Sequence, residues 1–284
     1  MRMGRCMRQV RPKNREEKRT MYRIIVPVKQ VPDMERVRFD TVAGRVDRSS
    51  APGVVNPVDL QALEVAMRVR DQYGGEVTVI SMGPQQAISS LRECLARGAD
   101  RAILLADRAF AGADTCATSY TLSVAIKKLG GYDLVVCGEK TVDGDTGQVG
   151  PELAEWLGIP HVTYVREILT VDKQLKALVD MSDGLYVAEA SLPLLLTVTR
   201  KGPRPRYATP LQIYRALASR IEHWGTEELK DVADPERFGL RGSPTRLTRV
   251  VVPPIEGRKG ERLEGNPDEA VTTLLQRLES GGVL

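Results

Sequence analysis

The chain has 284 residues, 42% of them hydrophobic and 5% aromatic, with a formal net charge of +4. That length suits one large domain or two small ones, and a core of Val, Leu, Ala and Ile with few aromatics suits a parallel sheet buried on both faces. The positive charge does not imply a nucleic-acid surface, because residues 1–20 hold eight Lys or Arg against Glu16 and Glu17, and the remainder is net acidic.

Residues 1–20 have no apolar segment of the kind a secretory signal needs. They read as a disordered basic extension or as translation from an upstream start, with Met21 directly before the first strand. That strand is Tyr22–Val28. A polar loop runs to Gly53, and Asn56-Pro57 starts a helix with Asn as N-cap and Pro at its first position, closed by Gly74-Gly75. Strand Glu76–Ser81, the Gly83-Pro84 turn, a helix through Leu95, strand Arg101–Leu105, a helix from Asp114-Thr115 to Leu129 and strand Asp133–Cys137 follow. This β-α-β-α-β-α-β order predicts an α/β fold with a Rossmann-like parallel sheet. Ligands of such sheets sit beyond the carboxyl ends of the strands, where strand order reverses. That singles out the loops after Val28, around Asn56, at Met82-Gly83-Pro84 and after Cys137.

Past Gly158 the segments 160–170, 174–181, 185–190 and 194–199 read as a small antiparallel β extension. Residues 21–200 are thus expected to form a nucleotide-binding α/β domain. Residues 201–284, rich in Pro and Arg at the start, are expected to form a long C-terminal arm lying on a partner subunit.

Cys6, Cys94, Cys116 and Cys137 include no CxxC pair, and His161 and His223 are the only imidazoles. Neither a metal site nor a disulfide framework is expected, and reduced thiols point to a cytoplasmic protein. No apolar run is long enough to span a membrane. No catalytic side-chain set is evident.

The segment Gly138–Pro151 carries the chemistry. Gly144, Gly147 and Gly150 let the backbone approach a ligand closely, and successive N–H groups there can form an anion nest. Gly150-Pro151 is read as opening a helix over Glu152–Leu157, its positive end toward the loop. Thr146 and Gln148 add neutral donors. The loop is neither a Walker A motif nor GxGxxG. Asp143 and Asp145 would repel phosphate, so they are expected to fix the loop through backbone N–H groups or to bind sugar hydroxyls.

Seven stretches in order resemble the beta subunit of electron-transfer flavoprotein: Val26-Pro-Val-Lys-Gln-Val-Pro-Asp33, Asn56-Pro-Val-Asp59, Ser81-Met-Gly-Pro84, Asp143–Pro151, Leu192–Thr199, Pro205-Arg-Tyr-Ala-Thr209 and Gly239-Leu-Arg-Gly-Ser-Pro-Thr245. The resemblance spans Met21 to at least Pro254. It implies an adenine nucleotide alpha hydrolase-like fold and a heterodimer with a flavin-carrying alpha subunit, with further oxidoreductase or iron–sulfur subunits as an open question. Carried over by position, the implied nucleotide contacts are Pro27, Asn56, Pro57, Val58, Asp59, Met82, Gly138, Asp143, Gly144, Asp145, Thr146, Gly147, Gln148 and Val149. One branch of the family holds structural AMP there and shuttles electrons from dehydrogenases. A bifurcating branch holds FAD that accepts hydride from NADH. Lys29–Asp33, Asp143–Thr146, Gln148–Pro151 and Leu240–Thr245 look like the bifurcating branch, so FAD is favoured over AMP. Gly202 stands where the AMP-binding branch places a leucine that anchors dehydrogenases. A nucleotide sensor like the universal stress proteins is the remote alternative, though those are about half as long and lack the arm.

Overall fold

A computed structural model of the chain describes residues 21–36, 38–40, 45–47, 51–172, 174–246, 260 and 262–284. The basic extension expected at 1–20 lies outside them, as do residues 247–259 at the end of the resemblance. The described residues up to Arg246 form one compact unit and those from Gly260 on a second.

In chain order, β1 (Tyr22–Pro27) leads through two short antiparallel pairs, β2 (Gln30–Pro32) with β5 (Gly53–Val55) and β3 (Arg38–Asp40) with β4 (Arg45–Asp47). Then come α1 (Pro57–Tyr73), β6 (Gly75–Met82), α2 (Ile88–Ala96), β7 (Arg101–Leu105), α3 (Thr115–Leu129), β8 (Leu134–Gly138) and α4 (Val149–Leu157). The unit is completed by β9 (His161–Val171), β10 (Gln174–Met181), β11 (Gly184–Ser191), β12 (Leu194–Val198), α5 (Pro210–Ala218), β13 (Glu222–Trp224), α6 (Thr226–Leu229) and α7 (Gly239–Gly242). The second unit's described part is built on α8 (Pro267–Ser280), capped by Asn266 in a capping box with Glu269.

Nine strands form one sheet in the order β11-β10-β9-β12-β8-β1-β6-β7-β13. All neighbours from β9 to β13 run parallel, and β10 and β11 are antiparallel. The α/β class is as the sequence implies. Ile24 pairs with Val77 on one side and Leu134 on the other, so β1 and β8 are the strands from which the chain departs in opposite directions. Alternation along β1 divides the packing into two layers. Leu63 of α1 and Leu91 of α2 share one core with Ile24, while Ile126 of α3 and Leu153 of α4 share another with Ile25.

One expectation is corrected. Leu194–Val198 is no part of an antiparallel extension. It lies inside the parallel sheet between β9 and β8, with Leu195 opposite both His161 and Val135. All five of its residues are buried, and full burial of each leucine contributes about 1.5–3 kcal/mol, which an edge hairpin could not match. After α5, Glu222–Trp224 adds a parallel edge strand to β7, with the Arg101–Glu222 ion pair at 2.7 Å beside it.

Candidate functional site

The carboxyl ends of β1 and β8 open on a crevice of about 390 Å³ on the α3 side of the sheet. Its inner wall is apolar, from Pro27, Met82, Phe110, Leu122 and Val149, and its mouth is the chain from Glu139 to Gln148. A volume of that order fits a small-molecule ligand.

Asn56 occupies the N-cap position of α1, but its side chain does not cap the helix. With Pro57 first in the helix, one N–H is already missing. The buried amide reaches across to the loop, donating to Asp59 Oδ1 (2.9 Å) and the Lys140 carbonyl (3.0 Å) and accepting from Val142 N (3.2 Å). Asp59 is buried beneath the crevice and accepts from Lys29 N at 2.8 Å. Burial pushes its carboxyl up to about 7 against the opposing hydrogen bonds from Asn56 and the Lys29 and Gly138 backbones. Gly138 can only be glycine: a Cβ would run into Asp59 Oδ1 and sit 3.0 Å from the Val58 carbonyl carbon.

The loop carboxylates meet lysines. Lys29 Nζ reaches both oxygens of Asp143 at 2.7 and 2.9 Å, and Lys140 Nζ reaches Asp145 at 2.8 Å. Burial would raise the Asp143 carboxyl, but the Lys29 and Thr141 hydrogen bonds and the Lys29 charge outweigh it and hold the group below the usual range. Backbone fixation comes from the threonine: Thr141 O accepts from Asp145 N (2.9 Å) and Thr141 Oγ1 from Gly144 N (3.3 Å). Asp145 has φ of 55° and Gly147 of 66°, left-handed geometry that closes the turn.

The next helix starts earlier than expected. α4 begins at Val149, so Pro151 is its third residue and not its first. Proline is tolerated there because the first-turn N–H groups have no intrahelical acceptor. No side chain caps α4, and a Cβ on Gly150 would lie 2.6 Å from Thr197 Cγ2. Glycine thus seats the helix start against β12. Glu152 of that first turn accepts from Thr115 Oγ1 (3.0 Å) and Ser119 Oγ (3.3 Å), locking α4 beside α3.

Of the contacts implied by resemblance, Pro27, Asp59, Met82, Gly138, Gly144, Thr146, Gly147, Gln148 and Val149 line the crevice. Asn56 and Val58 are buried behind it, and Pro57 is exposed. Asp143 and Asp145 hold the lysines. Sequence reasoning placed Lys140 and Thr141 only within the loop and named no role for them, and it missed Lys29, Phe110, Thr115 and Thr118. Phe110 to Thr118 arrive from the carboxyl end of β7, a loop the strand-end rule covers but the reading passed over. Cys137 lines the crevice with its thiol pushed up by burial, so it is no thiolate nucleophile. Among the described residues no group of three or more His, Cys, Asp or Glu could hold a metal, and no helix is long and apolar enough to cross a membrane.

Residues 43–227 match the electron transfer flavoprotein domain. The chain is 46% identical to electron transfer flavoprotein subunit beta of Thermoanaerobacterium thermosaccharolyticum, over 92% of this chain and 99% of that protein. The chain belongs to the electron-transfer flavoprotein family as a beta subunit. It is also 43% identical to the caffeyl-CoA reductase-Etf complex subunit CarD of Acetobacterium woodii, over 92% of this chain and all of that protein. Protein FixA of Bradyrhizobium diazoefficiens is 40% identical, over 84% of this chain and 85% of its own. Beta subunits of electron-transfer flavoproteins pair with an alpha subunit, and the chain's role is electron transfer as part of such a flavoprotein.

Proposed function

We propose that the crevice holds the diphosphate and adenosine of FAD, and that the chain is the beta subunit of a complex that takes electrons from NADH and divides them between two paths. The observation that carries this reading is the convergence of the uncapped start of α4 with Lys29 and Lys140 on one glycine-bearing loop. A helix start and two cations suit two phosphates better than one. Lys140 is available to a ligand because its pair with Asp145 is exposed, at 38% and 65%, and such pairs contribute at most about 1 kcal/mol. Lys29 is 46% exposed against 19% for Asp143, so its ammonium can meet a ligand from the open side of that pair. On phosphate binding the ammonium groups exchange one anion for another. Asp143 and Asp145 then become acceptors for ribose hydroxyls, while Thr118 offers a hydroxyl donor from α3.

FAD would supply hydride and electron transfer, which no side chain of this crevice offers. The chain's own residues bind and orient: Met82, Phe110 and Leu122 exclude water from the inner end, and the loop fixes the phosphates. A space of about 390 Å³ is near the small end for ligand sites. It accommodates an adenylate, so a flavin ring would extend beyond it toward the alpha subunit. The same observation favours the second reading, structural AMP with electrons delivered by dehydrogenases. The name of CarD's complex joins that subunit to a caffeyl-CoA reductase. A lasting association of that kind fits a chain with Gly202 at the dehydrogenase-anchoring position.

Acid extraction of the heterodimer, with chromatography of the released nucleotides, separates the readings. Two FAD per heterodimer and bleaching of flavin absorbance by NADH are expected. One FAD with one AMP would replace the first reading by the second.

A further inference from the structure

Asp59 collects hydrogen bonds from three separate pieces of the crevice. Lys29 N, just past β1, donates to Oδ2 at 2.8 Å, and Asn56 Nδ2 donates to Oδ1 at 2.9 Å. The backbone of Gly138, at the end of β8, donates as well. Asn56 in turn holds Lys140 and Val142 at 3.0 and 3.2 Å. Strands β1 and β8 part at this point, and the carboxylate is the tie between them. All of its partners are donors. An ionised carboxylate only accepts, so it satisfies all three, whereas a protonated one must turn an O–H toward a donor and give up at least one bond.

We infer that Asp59 is a positioning residue whose ionised carboxylate holds Gly138 to Val142 in the shape that receives nucleotide phosphates, so that nucleotide binding is linked to loss of one proton. This rests on the nucleotide reading above. The titratable and charged groups facing Asp59 are few. Lys29 faces it from the chain after β1, engaged with Asp143. Cys137 of β8 and Cys94 of α2 face it as thiols that burial keeps neutral. From its own helix it meets Asn56, and from the loop only groups that act through Asn56 and Lys29. Burial brings the carboxyl to about 7, so both forms are populated near neutrality. Phosphate charge opposes ionisation, but Lys29 and Lys140 offset it, and the hydrogen-bond requirement decides the direction.

The test uses the complex with its alpha subunit, freed of nucleotide at the beta site, and AMP as titrant, at pH 6 and pH 8. AMP itself titrates in this range, so the readout is the ratio of wild-type to Asp59→Asn affinity. That ratio is expected to rise about tenfold from pH 6 to pH 8, as one carboxyl titrating near 7 requires. Calorimetry in two buffers of different ionisation enthalpy should show more proton release for wild type than for D59N at pH 6.5. A ratio that stays flat, or net proton uptake by wild type relative to the variant, overturns the inference alone. Should D59N fail to fold, wild-type proton release beyond that of AMP's own phosphate decides the matter in the same way. No AMP or FAD binding by wild type at either pH overturns the nucleotide reading, and the inference with it.

Discussion

Thr245 and Asp114 are 131 residues apart in the chain, yet the Thr245 backbone N–H and hydroxyl both donate to Asp114 Oδ2, at 3.0 and 2.8 Å. The other oxygen of Asp114 caps α3 by accepting from Ala117 N at 3.0 Å, and Asp114 N donates to Ser243 Oγ at 2.9 Å. One carboxylate therefore fixes the start of a helix that walls the crevice and anchors the turn Gly239–Thr245. The aromatic contacts of Phe238 with Phe110 and Tyr120 press the preceding chain onto the same helix.

Asp114→Ala is expected to lower stability by about 1–2 kcal/mol through loss of the cap alone, and further through loss of the Thr245 clasp. Thr245→Ala should cost about 1 kcal/mol, the worth of one hydroxyl hydrogen bond. Denaturant unfolding of the complex measures both. Burial would raise the Asp114 carboxyl, but its backbone and hydroxyl hydrogen bonds outweigh that and hold it low. A depressed carboxylate stabilises above its unfolded value and loses that contribution as pH falls through the folded one. The wild type minus D114A difference should therefore shrink below about pH 4.

Glu64 and Arg206 make the second long-range tie. Arg206 Nε and backbone N donate to Glu64 Oε2 at 2.8 and 3.1 Å, Nη2 to Oε1 at 3.2 Å, and Nη1 reaches Asp71 at 2.9 Å. The Glu64 side chain is 7% exposed and also accepts from Arg68 Nε at 3.0 Å, so removing Arg206 leaves a nearly buried carboxylate with one cation where it had two. Arg206→Ala should cost about 1.5–3 kcal/mol, the range for hydrogen bonds to a charged group, and Arg206→Lys most of that, because an ammonium cannot form the fork. Lower urea midpoints with an unchanged slope would show a loss of stability without a change in the surface exposed on unfolding.

The resemblance-based departure at Gly202 has a steric basis. A Cβ there would lie 2.8 Å from Val198 Cγ1 and 3.0 Å from the Thr199 carbonyl oxygen, and Gly202 N donates to that oxygen at 2.8 Å. The turn out of β12 is too tight for a side chain. Gly202→Leu should therefore lower stability by about 1–3 kcal/mol without creating affinity for a dehydrogenase. A pull-down with the complex and a purified dehydrogenase checks the second half.

Why some of this was legible in the sequence and some was not follows from range. The N-cap Asp114 and the glycine pattern of the loop are local signals, and both locate their elements. Leu194–Val198 is aliphatic but for Thr197 and buried throughout, yet short flanking turns disguised its place in the sheet. The partners of Asn56, Asp59 and Arg206 lie between 3 and 142 residues away, and such pairings depend on which strand neighbours which. Lys29 and Asp143, 114 residues apart, meet only because β1 and β8 are adjacent. The local rule for Asn56 named the right position and the wrong partner, since an N-cap preference competes with a loop amide that only the fold brings near.

Asp59 sets stability and binding against each other. Its folded carboxyl stands at about 7 against an ordinary value of 3.8. A group raised in this way contributes stability fully below its unfolded value and loses it as pH rises through the folded one. Between about pH 4 and 7 the wild type should lose roughly 1.4 kcal/mol per pH unit from this residue. Asp59→Asn removes the titration, so the stability of the variant relative to wild type should climb across the same window and level off above about pH 8. Nucleotide affinity relative to the variant runs the other way, gaining as the carboxylate forms. Denaturant unfolding of nucleotide-free complexes at pH 5, 6, 7 and 8 tests this, and a stability difference that does not change with pH would remove the buried carboxyl's titration from the account. If both slopes appear with opposite signs, the ionised carboxylate is a cost the fold carries to keep β1, β8 and the loop in register for a ligand.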